Sequence, residues 1–416
     1  MDHNAIIWGI AGFAALGIIA RPFRMPEYVW AIIGAGILVA FGLLPWRDAL
    51  SAAGKGTDVY LFLAGMMLLS EIARQEGLFD WLATLAVRCA KGSAERLFLI
   101  VYGVGTLVTV FLSNDATAVV LTPAVYAAAT AARVEPLPYL FICAFIANAA
   151  SFVLPISNPA NLVIFGAHMP PLGEWLYQFT LPSIASILVT YGALRFTQRH
   201  ALDQAISKEF ASKPLSLGGQ CVALGIGLTA VFLLTASALD RPLGLPTFIA
   251  GAIVTVVVLL IGRQSPLPVL KDISWGVLPL VAGLFILVEG VGQTGILRAM
   301  ALMLHEAAIS SPRAASLGAG VIVAFASNLL NNLPTGLIAA TVSQTADVPV
   351  QITSGLLIGV DLGPNLSVTG SLATILWLIA LRREGEAVTA WQFLKLGIII
   401  MPPALAAALL SAAVMP

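Results

Sequence analysis

The sequence predicts an all-α integral membrane protein, built as two inverted repeats of five transmembrane helices, each repeat carrying a re-entrant hairpin and a broken helix. Three observations predict it: the composition, the spacing of the apolar runs, and the likeness of the two halves. Of the 416 residues, 59% are hydrophobic and 10% charged, against about 25% charged in a soluble domain. Little chain is left for a soluble domain. Lys plus Arg and Asp plus Glu both total 21, so no net charge points to nucleic acid or an acidic partner. Cys89, Cys143 and Cys221 have no C-x-x-C spacing and suit neither a disulfide framework nor a zinc knuckle.

The first apolar run, 5–20, follows Asp2 and His3 rather than a basic segment and reads as a retained helix. Further runs long enough to span occupy 28–44, 59–73, 138–154, 178–194, 217–238, 245–262, 275–290 and 391–413. Residues 350–361 and 365–381 make one span broken at Gly363-Pro364, and the span from 138 breaks likewise at Pro155 and Pro159. Ten crossings result. Leu97 to Ala132 and Ala314 to Thr345 differ, because each has a polar tip in its middle, Ser113-Asn114-Asp115 and Asn331-Asn332-Leu333-Pro334. Both read as hairpins that enter and leave on one side.

The halves align at three anchors. LAGMMLLSEIARQEGLFDWLA from Leu63 matches VAGLFILVEGVGQTGILRAMA from Val281 at an offset of 218. Asn114 then meets Asn331 at 217, and SNPANLVIFG from Ser157 meets DLGPNLSVTG from Asp361 at 204. The first repeat covers 1–200, a cytoplasmic linker 201–216, and the second repeat 217–416. With both termini outside, fifteen basic residues fall in inner loops and five (Arg47, Lys55, Arg241, Arg298 and Arg313) in outer ones, the bias expected of the positive-inside rule.

Breaks and tips inside a membrane expose backbone groups that survive only around a protein-lined or wet cavity. Inverted repeats bring them together near the midplane. The expected binding site is therefore made of Ser113-Asn114-Asp115, Ser157-Asn158-Pro159-Ala160-Asn161, Asn331-Asn332-Leu333-Pro334 and Asp361-Leu362-Gly363-Pro364-Asn365. Helix capping accounts for about half of these asparagines. It accounts less well for the aspartates, since Asn or Ser would cap without an intramembrane charge costing roughly 2.5 kcal/mol or more. On that alignment Asp115 faces Asn332 and Asp361 faces Ser157, so each half supplies one carboxylate. Asp115, at a helix N-terminus, is the expected constant charge; Asp361, at a helix C-terminus, is the expected proton carrier. Glu71 and Glu289 hold matching places near helix ends and read as interfacial charges or helix-end partners. His168 and His305 have no second ligand at metal spacing, and no metal or cofactor is expected. Gly290 to Gly295 matches the dinucleotide fingerprint G-x-G-x-x-G, but a membrane helix precedes it rather than a strand.

The strings FLSNDATAVVLTPAV, SNPANLVIFG, NNLP and IGVDLGPNLSVTGSLATILWL, the last followed by RR, resemble the arsenite/antimonite efflux family of the ion transporter superfamily. The resemblance covers nearly the whole chain. It implies a proton-coupled exporter of trivalent arsenic and antimony hydroxides in the prokaryotic inner membrane, and some such transporters work with a soluble arsenite-stimulated ATPase. Residue by residue it implicates Asn114, Asp115, Asn158, Asn161, Asn331, Asn332, Asp361 and Asn365. The four breaks contain no Arg or Lys, so a neutral trihydroxide, which both donates and accepts hydrogen bonds, fits them better than a dicarboxylate. A sodium/proton antiporter of the same superfamily would suit the same oxygen-rich set. An intramembrane aspartyl protease would not, because Asn114-Asp115-Ala116 and Val360-Asp361-Leu362 lack a G-x-G-D pattern.

Overall fold

In lipid a backbone must satisfy its own polar groups, so an apolar chain of this kind coils into helices. The computed structural model describes residues 3–166, 169–203 and 214–415, and no strand occurs among the described residues. The first half contains α1 (His3–Ala20), α2 (Glu27–Ala40), α3 (Trp46–Lys55), α4 (Thr57–Gln75), α5 (Leu78–Ala90), α6 (Ala94–Phe111), α7 (Asn114–Ala116), α8 (Thr122–Ala131), α9 (Leu137–Ala149), α10 (Pro159–Phe165) and α11 (Leu172–Gln198). The second contains α12 (Leu217–Ala238), α13 (Gly244–Gly262), α14 (Leu267–Asp272), α15 (Val277–Gln293), α16 (Ile296–Ser310), α17 (Pro312–Leu330), α18 (Asn332–Ala346), α19 (Val350–Leu362), α20 (Leu372–Arg383) and α21 (Ala390–Val414). A π-helical turn, Thr117–Leu121, joins α7 to α8, so the two together correspond to α18. The halves match element for element.

Local signals recur with the helices. Gly77 and Gly295 both sit at positive φ, 71° and 83°, at the turns that open α5 and α16, a conformation only glycine adopts without strain. Ser93 and Ser311 cap α6 and α17 through their hydroxyls. Among the described residues eight helices are long and apolar enough to cross a bilayer, or nine when α3 and α4, bent by 48°, count as one span. The molecule is a multi-pass membrane protein.

The ten expected crossings divide into kinds. The crossings expected at α9 and α19 are helices of 13 residues each, because each ends where its span breaks. The hairpin arms α6 and α17 are 18 and 19 residues long, about 27 Å at 1.5 Å per residue. These arms are therefore deeper than a short re-entrant loop, and each alone is long enough to count among the eight. The expected linker 201–216 falls largely outside the described residues, as do Lys208, Lys213 and His168.

The halves lock through small residues. A Cβ on Gly65 of α4 would overlap the Thr247 carbonyl of α13, and one on Gly283 of α15 would overlap the backbone of Ala31 in α2. Gly65 and Gly283 are the matched pair at offset 218, so α4 packs on the second half and α15 on the first. Within the second half Gly359 meets the carbonyl of Gly320, joining α19 to α17. Such close helix approach supplies van der Waals packing where lipid removes the hydrophobic drive between helices.

Candidate functional site

Ser113 begins the first tip. Its side chain caps α7, accepting from Ala116 N–H at 3.1 Å, while the Asn114 Oδ1 accepts from Asp115 N–H at 2.9 Å. At the second tip Asn331, at φ 76°, accepts from Leu333 N–H at 3.4 Å and donates to the Thr369 carbonyl at 3.3 Å. At the first helix break Asn158 caps α10, accepting from Ala160 N–H at 3.0 Å. The second break follows α19, and α20 restarts at Ser371, whose hydroxyl caps Thr374 N–H at 3.1 Å.

The two tips, the first break and the start of α20 meet at one crevice, whereas residues 361–365 of the second break do not line it. Its wall is formed by Asn114 and Asp115, by Asn158 and Pro159, by Asn332 and Leu333, and by Leu372 and Ala373, with Leu63 and Val277 alongside. The crevice holds only about 10 Å³, space for about one water molecule. Among the described residues no Lys or Arg lines it. The Oδ1 of Asn332 is buried there without a hydrogen-bond partner.

Two larger cavities flank it. A wide one of about 810 Å³ is lined by the start of α4 (Asp58, Val59), the end of α15 (Val288, Glu289) and Lys55, Arg241 and Arg298. A narrow one of about 100 Å³ is lined by the end of α4 (Ser70, Glu71), the start of α15 (Val277), and Ser113 and Asp115. The matched helices α4 and α15 thus run in opposite directions between the two cavities. One helical turn of apolar side chains separates the wide cavity from the crevice: Val59 lies one turn from Leu63, Val163 from Pro159, and Leu337 from Leu333.

The other site residues lie behind this wall. Asp361 is fully buried; its Oδ1 accepts from Asn158 Nδ2 at 2.8 Å and its Oδ2 from the Ser151 hydroxyl at 2.7 Å. It reaches the crevice only through Asn158. The amide of Asn161 donates to the carbonyls of Ser151, Leu154 and Pro155 at 2.9, 3.2 and 3.3 Å, so it staples the loop of the first break. Asn365 donates to the Phe145 carbonyl at 3.0 Å and accepts from Asn148 Nδ2 at 3.0 Å, tying the second break to α9. Asn114, Asp115, Asn158 and Asn332 therefore line the crevice, and Ser113 faces the narrow cavity. Asn161, Asn331 and Asn365 bond to backbone or to another amide.

The sequence alignment of the breaks shifts accordingly. By helix position Asp361 matches Asn148, since each is the penultimate residue of a 13-residue helix, and not Ser157. The capping residues pair as Asn158 with Ser371 at the same offset of 213. At the tips the capping residues are Ser113 and Asn331, so Asp115 stands opposite Leu333 rather than Asn332. The anchor at 204 followed similar letters; the helix ends set a different register. Asn148 and Ser151, both buried, lie outside the four interruptions marked in the sequence, and the equal 13-residue lengths of α9 and α19 are the signal that pairs Asn148 with Asp361.

Several charged groups near the cavities have ordinary partners. Arg74 bonds both Glu71, at 2.5 Å, and Asp272, at 2.9 Å, beside the narrow cavity. Lys55 pairs with Glu289 at 2.8 Å in the wide one. His305 meets the Ala346 carbonyl at 2.8 Å. Cys89 is exposed, Cys143 buried and Cys221 half-buried, and none lines the crevice.

Comparisons with known proteins agree with a transporter. A family model described as a citrate transporter matches residues 14–362. The chain is 27% identical over 352 residues to the arsenical pump membrane protein of Yersinia enterocolitica and 27% identical over 358 residues to that of Escherichia coli (strain K12), with 82% of each chain covered in both cases. It is 23% identical to an uncharacterized transporter of Mycobacterium tuberculosis, with 95% of each chain covered. The fold is similar to that of the YdaH transporter of Alcanivorax borkumensis, described as having an unusual topology, with a TM-score of 0.57 at 15% identity over 89% of this chain and 86% of that one.

Proposed function

The chain belongs to the citrate transporter family, and from that premise we propose that it exports trivalent arsenic and antimony hydroxides from the cytoplasm in exchange for protons. The observation that carries this reading is the crevice wall. It offers one carboxylate, three amides and no cation, which suits a neutral trihydroxide that donates to carboxylate and amide oxygens and accepts from amide N–H groups. A citrate anion would meet Asp115 there with no Lys or Arg to offset three negative charges. The relatives named as arsenical pumps support an arsenical cargo.

Asp115 and Asn332 Oδ1 accept from the cargo, and Asn114 and Asn158 orient it. Asp361 carries the exchanged proton behind Asn158, which joins the two events. The halves act as inverted repeats, 1–200 and 217–416, in a prokaryotic cell membrane with both termini outside, so the wide cavity faces out and the narrow one the cytoplasm. Cargo enters by the narrow cavity while Asp361 has released its proton inward. The protein then closes that side and opens the apolar turn at Val59, Val163 and Leu337; cargo leaves and a proton returns to Asp361 from outside. The crevice has no room for the trihydroxide in the present state, so it widens as cargo arrives.

Arsenite uptake into everted vesicles, with and without a proton uncoupler, tests the reading. Uptake abolished by the uncoupler supports it. Sodium-dependent proton movement without arsenite uptake would replace it by a sodium/proton antiporter, and citrate uptake would replace the cargo assignment.

A further inference from the structure

Ser151 holds one hydroxyl proton between two acceptors. Its Oγ lies 2.7 Å from Asp361 Oδ2 and 2.7 Å from the carbonyl oxygen of Asn148. A hydroxyl donates only once but accepts through two lone pairs. The geometry therefore has two complete solutions. With Asp361 ionised, Ser151 donates to the carboxylate, and the Asn148 carbonyl retains its backbone partners, the N–H groups of Ala150 and Ser151. With Asp361 protonated, the carboxylic O–H donates to Ser151 Oγ and the Ser151 proton turns to the Asn148 carbonyl. Ser151 and Asn148 are both buried.

We propose that Ser151 is a positioning residue, a two-state hydrogen-bond switch that transmits the proton on Asp361 to the end of α9. The switch crosses between the halves. Asp361 ends α19 of the second half, whereas Ser151 and Asn148 belong to the helix break of the first. On its other oxygen Asp361 holds Asn158, whose Oδ1 caps α10 and which faces the crevice. One proton thus redirects the Ser151 hydroxyl before the first break and, after it, turns the acceptor of Asn158 from a carboxylate oxygen into a carboxylic one, a weaker partner. The loop between them is pinned by Asn161, whose amide holds the Ser151 carbonyl at 2.9 Å, so a change at Ser151 reaches the start of α10 through a braced segment. No covalent bond changes at Ser151: its O–H rotates, and the transferred proton resides on Asp361.

This inference rests on Asp361 as the proton carrier of the proposed exchange. Infrared difference spectroscopy on the purified full-length protein, titrated without any cargo, separates the two. Asp361→Asn identifies the carboxylic C=O band of protonated Asp361. Ser151→Ala is expected to move that band to higher wavenumber, as its O–H loses an acceptor, and to uncouple arsenite flux from the proton gradient. Ser151→Thr, which keeps the hydroxyl, is expected to restore band and coupling, and a thermal melt near that of the parent identifies folded variants. A band unchanged in Ser151→Ala, or moved equally in Ser151→Thr, overturns the switch and leaves Asp361 as carrier. Absence of any band lost in Asp361→Asn overturns both.

Discussion

Asn161 and Asn332 are both buried asparagines at chain interruptions, yet their surroundings give them opposite tasks. The two N–H groups of the Asn161 amide are shared among three carbonyls, and leaving buried acceptors unmade costs about 1–3 kcal/mol. Asn161→Ala is therefore expected to lower stability by that amount in a thermal or denaturant melt of the detergent-solubilised protein. The side-chain oxygen of Asn332 has no partner to lose, and its backbone N–H keeps the Gly370 carbonyl at 2.8 Å. Asn332→Ala should leave the melt within about 0.5 kcal/mol of the parent while raising KM for arsenite in everted vesicles. A variant that melts early with unchanged KM would reverse the assignment. Asp361→Asn should abolish uncoupler-sensitive uptake, whereas Asp115→Asn should weaken cargo binding first; equal KM in the latter would remove Asp115 from the wall contacts that matter.

At the scale of elements, glycine decides how near two helices approach. Gly359 has no room for a Cβ because the Gly320 carbonyl fills it, whereas Gly227 on α12 has nothing within 4 Å. Gly359→Val should destabilise by about 1–3 kcal/mol, the usual range for overpacking, and Gly227→Val should not, as read from melting of the purified variants. The loss falls on the α17–α19 contact, which holds Asp361 against the first break. The ion pairs behave otherwise. Lys55 is well exposed and Glu289 about a third exposed, and such a surface pair contributes about 0–1 kcal/mol, so Lys55→Met should leave the melt nearly unchanged. Glu71 and Glu289 are matched residues, and each meets a charge linked to the end of α3 or α14: Lys55 directly in one case, Asp272 through Arg74 in the other. Helix-end pairing, the expectation from the sequence, describes both.

For the whole molecule the distinguishing arrangement is two cavities at opposite ends of α4, with the crevice between them. In a background without native cysteines, Leu337→Cys is expected to react with a membrane-impermeant thiol reagent added outside intact cells, and Ser70→Cys only in everted vesicles. Reaction of both from one side would sink the assignment of the cavities to opposite faces. Arsenite loaded on the cytoplasmic side should speed the labelling of Leu337→Cys, since cargo loading is followed by opening of the apolar turn that Leu337 belongs to.

The sequence determined the membrane-spanning class, the recurrence of elements, the four interruptions, and the presence of polar residues in each. These are local: hydropathy fixes which segments enter lipid, and serine, asparagine and glycine mark where helices stop. Tertiary structure decided which of those residues share a surface. Asn161 and Asn365 read like ligands in one dimension, but the folded loops use their amides on carbonyls that lipid would otherwise leave unpaired. Asp361 met Asn158 and Ser151 only because α19 ends beside the first break, a contact between residues more than 200 positions apart that packing alone creates. The register of the halves was likewise set by where the helices end and not by the likeness of their letters, since capping geometry acts on backbone position whatever side chain supplies it.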